Sequence, residues 1–265
     1  MANGSVPTGA VRYRRSVVSL SLDQLKLLRD AFKALQGIDD DRGYRYLAGI
    51  HGLPLPIGCD NAHGTRYFLP WHRAYLYFFE RAMRDRVQDS MLSWWDWTAR
   101  PEAIPAPFTA AGSNSLRSAK VDPLAISQWR ASGGGAIGAT TSRQPGLNST
   151  LPSRAEVTAV VGRSDFLDFS NGVEQLHNRV HMWVGGHMGQ IPFAAFDPIF
   201  WAHHTMIDRL WRLWQLQHPV SSVPGSMLSH ALPPFRMTVA QTLDTTALGY
   251  DYAVASRSQP VIVGG

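Results

Sequence analysis

The sequence predicts a mainly α-helical domain: a four-helix bundle with long loops and a few short strands. Three observations predict it. Apolar residues recur at three- and four-residue intervals in several segments, the spacing of one helix face. Stretches rich in Gly and Pro separate those segments. Only the tail from residue 219 onward, with Pro224, Pro233 and Pro234, has the mixed character of short strands.

The elements follow in order. Residues 21–36 carry apolar positions at 22, 25, 28, 32 and 35, with Ser21 as N-cap and Gly37 as stop. Residues 43–51 form a second helix ending at His51. The stretch 52–70 reads as loop. From Trp71 to about Val87 the chain is helical again, with Trp71, Tyr75, Phe78, Phe79 and Ala82 near one face. Residues 98–165 are dominated by Pro, Gly, Ser, Thr and Ala and read as a long surface excursion with short helices. Helical character returns at 166–184, and 198–217 is a strong helix. The bundle is assigned to helices near 43–51, 71–87, 170–184 and 198–217.

At 265 residues and 45% hydrophobic content the chain supports one sizeable core, read as a single domain over 1–265. Nine tryptophans and eleven phenylalanines point to much buried aromatic surface. The net charge of +5 is spread over scattered, mostly Arg residues, the densest group being Arg12, Arg14 and Arg15. That is a solvated basic surface, not a nucleic-acid or membrane-binding patch. No apolar run reaches the ~18–20 residues that span a bilayer. The N-terminal MANGSVPTGAVRYRR has no apolar secretion core, which leaves the compartment open between cytoplasm and export with a carrier. The single cysteine, Cys59, excludes an intramolecular disulfide and a Cys-rich zinc site.

Histidine placement carries the chemistry. Ten are present, at 51, 63, 72, 177, 181, 187, 203, 204, 218 and 230. Three fall within the first 72 residues, none between 73 and 176, and five between 177 and 204. His177 and His181 are four apart, so a helix puts both imidazoles on one face, one turn apart. A third ligand from another helix completes a metal site, and His203 or His204 fits that need. His51, His63 and His72 make a second set. Two all-imidazole sets suit Zn, Cu, Fe or Ni, and no H-E-x-x-H is present to favour a zinc hydrolase.

Longer motifs narrow this. HGTRYFLPWHRAYLYFFE (63–80) resembles the first copper signature of the tyrosinase, catechol oxidase and molluscan hemocyanin family, the type-3 copper proteins. DPIFWAHHTMID (197–208) resembles the second signature, and LHNRVHMWVGGHMG (176–189) the segment between them in bacterial tyrosinases. SWWDW (93–97) is similar to the family's aromatic stretch, and the resemblance spans roughly residues 12–252.

The resemblance implies two copper ions and O2 as co-substrate. The first copper takes His51, His63 and His72; the second takes His177, His181 and His204, with His203 a neighbour. His187, His218 and His230 match no ligand position and read as structural or surface residues. The implied reaction ortho-hydroxylates monophenols and oxidises o-diphenols to o-quinones. Catechol oxidase, o-aminophenol oxidase and an oxygen carrier are the alternatives.

Glu174 and Asn178 resemble the pair that holds a base-like water in hydroxylating members, with Asp168 an alternative acid. Met182 falls at the pocket mouth, and Ile191, Pro192 and Phe193 where relatives shape substrate access. Asp208 either anchors neighbouring Arg or His side chains or pairs with Arg212 at i+4. Some relatives join a Cys to the second ligand of the first copper. Cys59 lies four residues before His63, off that spacing, and is expected as a buried, unlinked thiol. Arg15 resembles an N-terminal Arg that packs on the tyrosines of a closing motif, here Tyr250 and Tyr252. No C-terminal shielding domain is expected. The site is then open, or covered by the 98–165 excursion or a separate protein for copper loading or shielding. A small phenol is the expected partner; the oligomeric state is left open.

Overall fold

A computed structural model describes residues 11–55, 59, 62–99, 103–218 and 223–253. Strand β1 (Arg12–Arg14) leads into α1 (Leu22–Gln36). There Ser21 accepts from the Gln24 amide while the Gln24 side chain reaches back to Ser21, a reciprocal cap, and Gly37 ends the helix. Then come α2 (Tyr44–Gly49), α3 (Phe68–Arg84), α4 (Pro123–Ala131), α5 (Arg154–Val161), α6 (Phe166–Val184), α7 (Ile199–Gln217), α8 (Val239–Thr242) and β2 (Tyr250–Tyr252). The mainly helical fold expected from the sequence is present. The helices α2, α3, α6 and α7 surround the histidines, with α3 packed on α7 and α6 on both. Among the described residues no helix is long and apolar enough to cross a membrane.

The two three-residue strands pair in parallel, Arg12 with Tyr250 and Arg14 with Tyr252. Side chains alternate across this pair, so Tyr13 and Arg15 face outward and Arg14 is buried. The arginine that packs on the closing tyrosines is therefore Arg14, not Arg15. Its guanidinium lies 3.6 Å from the Tyr250 ring centroid. It also donates to Glu80 at 3.0 Å and Asp208 at 3.1 Å.

Asp208 is the hub of this network. It accepts from Arg73, Arg14 and the hydroxyls of Tyr250 and Tyr252. Burial alone would raise its pKa; Arg73 and Arg14 outweigh that and hold the carboxylate below its usual range. The i+4 pair with Arg212 does not form, because Arg212 turns instead to Asp251 at 2.8 and 2.9 Å.

The excursion also departs from its surface reading. Phe108, Leu116, Val121, Ala125, Leu151, Val157 and Val161 are all buried. Its apolar residues are too widely spaced to give a periodic signal, yet each plugs into the core. Arg143 anchors it by a bidentate pair with Asp197, Nε to Oδ2 at 2.9 Å and Nη2 to Oδ1 at 2.5 Å, and by bonds to the Phe108 and Leu116 carbonyls. Asp197 in turn accepts from the Ile199 amide at the start of α7. On the other flank of α7, the Trp95 amide donates to the Ala202 carbonyl at 3.1 Å. The helix carrying His203 and His204 is thus braced from two sides.

Candidate metal centre

The structure brings all six expected ligands together. His72 is in the second turn of α3, and its Nδ1 lies 2.8 Å from the Phe68 carbonyl four residues back. His181 on α6 points Nδ1 at the Met188 carbonyl, also 2.8 Å away. A carbonyl only accepts, so both rings carry their proton on Nδ1 and present an Nε2 lone pair. His177 Nδ1 lies 2.9 Å from Asn178 Oδ1 and His63 Nδ1 lies 3.2 Å from Glu174 Oε1, which fixes the same tautomer. His51 lies two residues beyond the end of α2, its ring 4.8 Å from that of Phe200.

The Nε2 atoms then converge. Those of His177 and His181 lie 3.1 and 3.3 Å from His204 Nε2. Those of His51, His63 and His72 are buried without any hydrogen-bond partner. The two triads face each other: the His72 and His204 rings stack at 4.5 Å, and His63 and His177 are 5.3 Å apart. Nitrogens bound to one ion at ~2.0–2.1 Å stand roughly 3.3 Å apart in a tetrahedral set. The residues present therefore fit metal ions: converging lone pairs in a dry core are otherwise unsatisfied. The set holds no carboxylate, which excludes magnesium and calcium and suits copper in both oxidation states.

His203 lies close enough to belong to the second set by distance alone. It stacks nearly parallel on His177, centroids 5.1 Å apart, whereas His204 presents an Nε2 that meets both α6 histidines. Geometry favours His204. Cys59 is buried with Sγ 3.7 Å from His51 Nδ1, a neighbour the sequence spacing did not reveal.

Burial drives the imidazoles of His51, His72, His177, His203 and His204 well below the ordinary histidine range, and neighbouring imidazoles push the same way. His181 is brought down to about 4, chiefly by burial, against the opposing pull of the Met188 carbonyl. The ligand rings of His51, His72, His177, His181 and His204 are therefore ready to bind metal without first losing a proton near neutral pH. The unfolded chain takes up protons below its own pKa, about 6.5, that the fold refuses. Stability of the metal-free protein should therefore fall as pH drops from the unfolded value toward the His181 value of about 4. A thermal midpoint that stays flat across that window would show that the rings are not held neutral.

The other expected site residues separate into those at the centre and those away from it. Glu174 is buried, its Oε1 accepting from the Gly64 amide at 2.7 Å besides meeting His63. It is not a surface carboxylate. Asn178 is exposed one turn further along α6. Asp168 is exposed in the first turn of α6, six residues before Glu174. Met182 and Ile191 are exposed at 43% and 56%, high for such side chains. Pro192 packs so closely on Gly52 that a Cβ there would fall 2.6 Å from the proline backbone.

Phe193 is a correction. It is fully buried, edge-on to Trp129, because the 3-10 turn Ile191–Phe196 rotates it inward with Ala194, Ala195 and Phe196. It supports the turn rather than lining an access path. Among the remaining histidines, His230 is exposed and stacks on Tyr67 at 3.8 Å, His218 leans on Trp214, and His187 is buried. The groups that sequence reading missed are the Phe68 and Met188 carbonyls, since a main-chain acceptor leaves no mark in residue identity.

A helical bundle with two facing imidazole triads defines a type-3 copper protein. The chain belongs to the tyrosinase family: the description "Common central domain of tyrosinase" matches residues 41–217, and the family fold implies a dinuclear copper centre. Its relatives include enzymes and carriers. It is 35% identical over 186 residues to a tyrosinase of Streptomyces antibioticus, covering 62% of this chain and 68% of that one. It is 30% identical over 269 residues to a G-type hemocyanin (units Oda to Odg) of Enteroctopus dofleini, covering 96% of this chain but 9% of that one. Among solved structures, a functional unit of octopus hemocyanin superposes with a TM-score of 0.79 at 27% identity, covering 94% of this chain and 70% of that one. Recombinant mushroom tyrosinase superposes at 0.77 and 25% identity, covering 93% and 62%.

Proposed function

We propose that the chain is a dicopper phenol oxidase that ortho-hydroxylates monophenols and oxidises o-diphenols to o-quinones. One observation carries the reading. Glu174 and Asn178, one helical turn apart, contact the Nδ1 atoms of one ligand in each triad, His63 and His177. This placement supports a reading in which the pair, besides orienting the two imidazoles, holds a proton acceptor beside both triads, a role that an oxygen carrier does not need.

The copper pair, when bound, activates dioxygen and takes up electrons from the phenol. The protein's residues do the rest. Buried aromatic rings, among them Phe68 and Phe200, keep water from the imidazoles. Met182 and Ile191 offer apolar contact for a phenol ring. A phenol with pKa near ~10 must lose its proton at neutral pH, and Glu174 with Asn178 hold the acceptor.

Replacing Asn178 with Ala should therefore lower monophenol turnover by about 10²-fold or more, the usual worth of a positioned base, and diphenol turnover far less. Equal losses on both substrates would sink the proton-acceptor role.

The carrier reading rests on the 30% identity to octopus hemocyanin over nearly the whole chain. Oxygen uptake by the copper-loaded protein, given a monophenol and then a catechol against a metal-free control, separates the two. Uptake with both establishes the proposal. Uptake with the catechol alone makes the protein a catechol oxidase. Uptake with neither, in protein holding two coppers and binding O2 reversibly, makes it a carrier.

A further inference from the structure

His187 was read from the sequence as structural or surface, yet both its ring nitrogens are committed. Nδ1 accepts from the Ser142 amide at 3.0 Å, and Nε2 donates to the Gly138 carbonyl at 3.0 Å. This tautomer is opposite to that of His72 and His181, so His187 offers no lone pair to a metal. It joins two segments instead. One is the excursion segment 138–146; the other is the 185–189 turn that follows α6.

The excursion segment is tied both to the end of α6 and to the turn that follows it. The Gln144 amide donates to the Val184 carbonyl and the Gly146 amide to the Trp183 carbonyl, each at 2.8 Å, and the His187 amide to the Ser142 carbonyl at 3.0 Å. Backbones touch: Gly186 has φ +55, and a Cβ there would fall 2.0 Å from the Ser142 oxygen. Directly after His187 comes Met188, whose carbonyl takes the His181 Nδ1 proton. The excursion is itself held at Arg143 by Asp197.

We propose that His187 is a positioning residue for the second copper. It locks the 185–189 turn to segment 138–146, which fixes the Met188 carbonyl and thereby the aim of the His181 ring. The inference rests on the ligand set, not on which reaction the coppers perform, so failure of the oxidase reading leaves it standing. Outer partners of this kind are worth about 10- to 100-fold in metal affinity.

The test is copper retained per chain against a graded competing chelator, with the metal-free melting midpoint measured alongside. His187→Leu fills the space but makes neither bond. It should weaken one of the two coppers about 10- to 100-fold and leave the other unchanged. His187→Gln carries an acceptor and a donor and should stay close to wild type. In a His181→Ala background, where the second copper is already lost, the leucine substitution should not alter the remaining one. Should the leucine variant not fold, His187→Ala, which admits water to both backbone groups, carries the same expectation. Wild-type retention of both coppers, parallel weakening of both, or failure of glutamine to restore retention would each overturn the proposal.

Discussion

A His204→Ala variant is expected to hold one copper per chain instead of two and to lose catechol oxidation, whereas His203→Ala keeps both ions. The reason is position. His204 Nε2 meets the Nε2 atoms of both His177 and His181, at 3.1 and 3.3 Å, and its ring stacks on His72 of the facing triad. Removing it takes a third of one coordination set and part of the wall between the triads. The effect should exceed the roughly 10- to 100-fold cost of losing an outer partner. His203 stacks on His177, and although its ring lies within ligand range of the same set, it makes no close Nε2 approach to both α6 histidines, so its loss is expected to leave the ion held. Copper analysis after dialysis decides the matter. One copper in His203→Ala and two in His204→Ala would reverse the assignment.

The largest effect on stability is expected from Asp208→Ala. The carboxylate neutralises two guanidiniums, Arg14 and Arg73, whose side chains are 0% exposed. Its removal leaves buried charge uncompensated, since Glu80 contacts Arg14 and not Arg73. Breaking a buried pair from one side costs about 3–5 kcal/mol. At roughly 2–4 °C per kcal/mol for a chain of this size, the metal-free midpoint should drop by about 6–20 °C. A drop below about 2 °C would mean that water reaches these groups and that the network is not closed.

The helices and the grouping of histidines were legible because both are local. An i, i+4 pair such as His177 and His181 needs only the helix repeat to share a face. Ser21 announces the start of α1 for the same reason, a cap acting over three residues. What sequence left open depended on distant partners. Whether Arg14 or Arg15 turns inward is set by β2, far along the chain, and one residue of register reverses the answer. Asp208 had Arg212 one turn away, but Asp251 drew that arginine off and left Asp208 to Arg73 and Arg14. The excursion hid its buried residues because Phe108, Leu116 and Val121 each dock singly, without a repeat to betray them. Phe193 was misplaced for a related reason: a 3-10 turn gives no face pattern long enough to read.

The parallel pairing of β1 with β2 sets an order of events during synthesis. Arg14 and Tyr252 are 238 positions apart, yet they share a hydrogen bond. A ribosome adding about 5–20 residues per second needs roughly 10–50 s to cover that distance. The lengths carrying all six ligating histidines are made well before Tyr250 and Tyr252. The pair of β1 with β2 therefore cannot form until those last residues have been made, and until then Arg14 lacks its two tyrosine partners.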